Sequence, residues 1–195
     1  MINVKKVLEL QKKKVEDWHT EFSVTEEVLP FKFIEENHQW NFSLWHEEDI
    51  ARIKDIDANR IVQAKRNIDG YNQARNNAME KIDEWILNFL NFNKVVSTES
   101  MHSETPGMMI DRLSILALKI FHTHEESNRA TATEEHRQKN LARLSILQEQ
   151  RSDLAQALEI FFKEATAGRR RFKLYRQMKM YNDPELNPVI YQHKN

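Results

Sequence analysis

The chain has no cysteine, only three glycines and only four prolines among its 195 residues. Without cysteine there is neither a disulfide framework nor a thiolate metal site. So little glycine and proline leaves too few turn residues for a many-stranded sandwich or barrel. No apolar run approaches the ~20 residues a membrane span needs, and Lys5, Lys6 and Glu9 break up any signal-like stretch at the start. Neither charge is in excess. The chain carries 29 basic against 30 acidic side chains, which argues against a protein that coats nucleic acid along its length. What it does have is 40% apolar residues, enough for a core and too many for a disordered chain. The expectation is a cytoplasmic, all-α protein with a single helical domain over residues 1–195.

The 3.6-residue period and the capping residues predict five to six helices. The first runs from the cap Asn3 to about Phe22, and the second from about Trp40 to Ile53. Asp57 caps a long third helix, Ala58 to Phe92, whose apolar stripe passes through Gly70, where a kink or a close helix contact is expected. Thr105-Pro106 opens a fourth helix to about Thr123, apolar nearly all round and so expected as the buried centre of the bundle. Thr133 opens a fifth, which reaches Ala167 and ends at Gly168. The basic segment Arg169 to Lys179 is predicted helical, with Asn182-Asp183-Pro184 as its stop.

Polar residues interrupt these apolar faces at specific places. His46 and Asp49 fall within the apolar side of the second helix, three residues apart, a spacing that suits a metal pair or a base with its orienting partner. Glu47 and Glu48 point away from that side. On the third helix Arg75 lies in the stripe itself, where it needs a carboxylate or a bound anion. Asn72 and Asn76 flank it in a polar seam, and Glu80 and Asp83 in the same seam read as a solvated edge. Asp111, Arg112 and Lys119 are three charges on the otherwise apolar fourth helix, with Arg75 and Asp49 as natural partners. The start of that helix, at Thr105-Pro106-Gly107, offers backbone N–H groups to an anion. The stretch Lys163 to Lys179 holds seven basic residues against one acid and would attract phosphate groups. The eight histidines show no H-E-x-x-H run or comparable spacing, so zinc is not favoured.

Four of these runs resemble a bacterial family of unknown function, family 4254. They are Trp45-His46-Glu47-Glu48-Asp49-Ile50-Ala51-Arg52; Asn72-Gln73-Ala74-Arg75-Asn76; Glu104-Thr105-Pro106-Gly107 with Ile110 to Leu116; and Lys179 to Pro184 with Asn187-Pro188. In the family pattern an aspartate commonly follows the Arg-Asn pair, whereas here Asn77 follows Asn76. The resemblance carries no established activity. It implies that the four runs contribute to one site.

The expected site is a polar pocket for an anionic, phosphate-bearing ligand such as a nucleotide or nucleotide-sugar. His46, Asp49 and Asp111 are its catalytic candidates, with Asp49 and Asp111 as magnesium ligands. Asn72, Arg75, Asn76, Arg112, Lys119, Arg176 and Lys179 would hold the ligand. The competing expectation is a non-catalytic scaffold that binds a partner protein or a second copy of itself, with the inward charges as a structural network. Nucleic acid is the least favoured partner. An opening onto the inward charges would speak for a ligand, and a closed, mutually satisfied set for a scaffold.

Overall fold

A computed structural model describes residues 1–91, 100–178 and 183–192. It is all-α, with six helices among these residues: α1 (Val4–Trp18), α2 (Phe31–Ala51), α3 (Ala58–Leu90), α4 (Pro106–Asn128), α5 (Glu134–Thr166) and the short α6 (Pro188–Gln192). Two two-residue strands, β1 (Ser100–Met101) and β2 (Arg170–Arg171), pair in parallel. No described helix is long and apolar enough to cross a membrane.

The caps act where the sequence places them. The side chains of Asn3, Asp57, Thr105 and Thr133 accept hydrogen bonds from the first free backbone N–H groups of α1, α3, α4 and α5, donors that would otherwise lack partners. Helix α2 begins nine residues before the expected Trp40. Phe31, Ile34, His38 and Phe42 recur at helical spacing and are all buried. The polar residues Glu35, Asn37 and Asn41 between them hide that period from an apolar count.

Helices α2 and α3 form an antiparallel hairpin whose register is fixed by side-chain pairs. Arg60 donates to Glu47 at 2.5 Å, Trp40 stacks on Tyr71, and Lys81 reaches Glu36 at 3.0 Å. Glu47 is therefore buried between the helices instead of pointing outward. Helix α3 runs through Gly70 without interruption, and a methyl group there would meet nothing within 4 Å, so the close contact is not present.

Helix α4 packs against α1, α2, α3 and α5 and is the central element. Ile110 and Leu113 join Val7, Ile34, Ile82, Ile86, Leu158 and Phe161 in one core. One strip of α4 stays open, however, with Arg112 and Lys119 exposed and Ile115 and Leu116 half-buried. Gly107 is required at its start: a Cβ there would sit 2.6 Å from the Met79 carbonyl oxygen and 2.8 Å from the Asp83 carboxyl. Asp83 is accordingly buried, not on a solvated edge, and it accepts from the Gly107 N–H at 2.6 Å. The helix start expected to hold an outside anion is thus occupied by the chain's own carboxyl group. Burial raises that carboxyl to about 7, against the lowering effect of its bonds from Thr105 and Gly107.

The basic segment departs most from expectation. After α5 it forms β2 and then continues without helix to residue 178. The pairing of β2 with β1, extended by the His102 N–H bonded to the Arg171 carbonyl, satisfies backbone groups that a helix would have paired internally. Two of its cations are held by carboxylates: Arg169 pairs with Glu164, and Arg176 with Glu80 and Glu84.

Candidate functional site

The expected site residues fall into three places, linked by α4. The first is a buried network around Asp111, which is 4% exposed. Its carboxylate accepts from Arg75 Nε at 2.7 Å and Arg75 Nη2 at 2.5 Å, and from Asn37 and Asn41 Nδ2 at 2.9 Å each. This is a two-pronged guanidinium–carboxylate bond reinforced by two amides. The network continues inward. Asn41 also donates to Ser114, whose hydroxyl meets His38 Nδ1 at 2.7 Å, and His38 Nε2 meets the Gln11 carbonyl at 2.9 Å. Burial pushes the His38 imidazole down to about 3, so it is neutral: Nε2–H donates to the carbonyl, and Nδ1 accepts from Ser114.

Arg75 bridges this network and the outside. Its side chain is partly exposed and lines a shallow cleft of about 340 Å³ with Asn72, Asp49, Trp45, Glu48 and Arg52. The hydrogen bonds it donates to Asp111 hold the guanidinium above its ordinary pKa. Arg52 is paired with Glu48, so the cleft's cations are already matched by carboxylates. Asp49 is exposed there and makes no hydrogen bond to His46 among the described residues. For Asp49 and Asp111 to share magnesium, the ion would have to displace Arg75 or the two asparagines from Asp111. Asn76 is half-buried and lines neither this cleft nor the groove described next.

The second place is a groove of about 830 Å³ between α4 and α5, closed at one end by the β1–β2 region. Arg112, Lys119 and Arg170 bring positive charge, Glu104 and Asp153 bring negative charge, and His102 and Gln150 add further polar groups. Arg112 pairs with Glu104 at 2.5 Å, whereas Lys119 has no ion pair among the described residues. Ile115 lines both this groove and the Arg75 cleft. Arg176 belongs to neither, being held against α3 by Glu80 and Glu84. Lys179 lies outside the described residues.

The third place was not legible as spacing. His46 meets His19, the C-cap of α1, and His122 of α4. One ring nitrogen of each lies within 4.8 Å of one from each of the others. Ring centroids are 5.1 to 5.7 Å apart, and the ring planes are inclined by 70 to 82°. Phe121 stacks on His19 at 4.4 Å and Trp45 on His122 at 4.8 Å. Burial lowers both the His46 and the His122 pKa, and the neighbouring His19 adds to this. A search by local motif cannot find such a set, because its members come from three helices. A signal was available in the placement of His46 and His122, each on the apolar side of its helix.

Fold and site together define an all-α bundle with polar grooves along a central, charge-bearing helix. The family model described as "Protein of unknown function (DUF4254)" matches residues 31–174, and the chain belongs to that family. No curated protein and no solved structure matches it. The matched span runs from α2 to just past β2, so it includes His46, Arg75, Asp111 and His122, with His19 ahead of it.

Proposed function

We propose that the groove between α4 and α5 binds a small phosphate-bearing ligand, a nucleotide or nucleotide-sugar, held by Lys119, Arg112 and Arg170. The observation that carries this reading is Lys119: an exposed ammonium without an ion pair among the described residues, in a groove of about 830 Å³ that also holds two guanidinium groups. Grooves of this size suit such ligands. Guanidinium groups take phosphate oxygens two at a time, while a lysine adds a mobile point charge. The apolar floor of Ile115, Leu116, Leu154 and Ile160 offers a surface to a base or sugar face. For Asp111 and Arg75 the mutually satisfied bonds favour the scaffold reading instead.

Thermal melting of the protein against nucleotides, nucleotide-sugars and sugar phosphates tests this. A ligand that binds only the folded state adds about 2.7 kcal/mol at a hundredfold excess over its dissociation constant. One ligand class should raise the melting point of the wild type and not of Lys119→Ala or Arg170→Ala. Equal shifts in the variants, or none in the wild type, would refute the groove as the site.

A further inference from the structure

The histidine cluster is separate from that groove and has a different chemistry. Two of its members are held by groups that fix which nitrogen is free. His19 Nδ1 lies 2.6 Å from the Val15 carbonyl oxygen, and His122 Nδ1 lies 2.9 Å from Glu125 Oε2. A carbonyl or carboxylate oxygen only accepts, so each Nδ1 carries the proton and each Nε2 carries the lone pair. His122 Nε2 and His46 Nε2 are buried and lack a hydrogen-bond partner among the described residues. Two buried, unpartnered ring nitrogens within one three-histidine cluster are costly unless something occupies the space between them.

We propose that His19, His46 and His122 form a binding site for a divalent transition metal of the zinc class. Imidazole nitrogen is a ligand for such ions, whereas magnesium prefers carboxylate, phosphate and water oxygen. Three nitrogens on a tetrahedral zinc with bonds of about 2.05 Å stand about 3.4 Å apart. From separations within 4.8 Å the rings have to close by no more than about 1.4 Å, a matter of side-chain rotation. The Nδ1 partners fit the same purpose, since a ligating histidine generally donates its other N–H to a carboxylate or a carbonyl. The stacked Phe121 and Trp45 limit how far two of the rings can turn. Asp49 and Glu125 put negative charge near His46 and His122, which favours a cation there.

The test uses the untagged full chain, stripped with a chelator and titrated calorimetrically with zinc chloride and, separately, magnesium chloride. Cobalt(II) absorption reports the coordination. The expected result is one zinc per chain, no magnesium heat, and the intense visible bands of four-coordinate cobalt. His46→Ala and His122→Ala should each lower zinc affinity at least tenfold with circular dichroism unchanged. Glu125→Gln should lower it about tenfold, and His136→Ala, on a surface histidine paired with Glu126, should leave it unaltered. Absence of zinc binding by the wild type, or undiminished binding by the folded His46→Ala/His122→Ala double variant, would overturn the proposal.

Discussion

Asp111 and His122 lie on one helix, eleven residues or about 16 Å apart, and their surroundings are opposite in kind. Around Asp111 each carboxylate oxygen has at least one donor, and the chain of bonds runs on through Asn41, Ser114 and His38 to a backbone carbonyl, although Asn37 Oδ1 beside it is buried without a partner among the described residues. Around His122 two ring nitrogens are buried and have no partner among the described residues. Charges matched by several donors fix how helices meet, whereas two unmatched ring nitrogens facing one cluster leave lone pairs for a ligand. The difference shows that an inward charge is a weak indicator of function until its partners are counted.

That contrast is most severely tested by removing Asp111. Asp111→Ala leaves Arg75 and two amides without their acceptor, and the expected loss is about 3–5 kcal/mol in urea unfolding. A loss under about 1 kcal/mol would show that the network is not structural. A second, smaller effect comes with acid. His38 has a folded pKa of about 3 against an ordinary 6.5, so between these values the unfolded chain binds more protons. Its contribution is fully present above pH 6.5 and is lost as the pH falls towards 3, amounting to a few kcal/mol. The lowered His46 and His122 values add in the same direction. Unfolding measured across pH 3 to 7 should therefore show a shallower acid slope for His38→Gln than for the wild type.

Smaller again is the close approach at the start of α4. Gly107→Ala drives a methyl group against the Met79 carbonyl and the Asp83 carboxyl, with an expected loss of about 1–3 kcal/mol in the same unfolding assay. The smallest effect sharpens the comparison from the other side. Lys119→Ala removes an exposed, unpaired charge and should change stability by no more than about 0.5 kcal/mol, while abolishing the ligand-induced melting shift.

Much of the fold was legible because its determinants are local. Caps at Asn3, Asp57, Thr105 and Thr133, and the apolar surround of α4, follow from neighbouring residues alone. The pairing of Arg75 with a carboxylate followed from the cost of burying a lone guanidinium. Non-local terms hid the rest. Helix α2 was cut short because its buried side is half polar, Glu35 being matched by Lys14 at 2.6 Å and Asn37 by Asp111. The basic segment has helical propensity, but β1, some 70 residues earlier, supplies the partner for β2. His46 was read together with Asp49, whereas the imidazoles beside it are His19 and His122. Its neighbours are 27 residues before it and 76 after, separations at which no spacing rule operates.

The direct test of the central contrast is a crossed experiment on Asp111→Asn and His46→Gln, each melted with and without zinc beside the wild type. Asp111→Asn should melt well below the wild type yet keep the full zinc-induced rise. His46→Gln should melt within a few degrees of the metal-free wild type and lose that rise. The reverse pattern, with zinc response lost at Asp111 and retained at His46, would contradict the contrast.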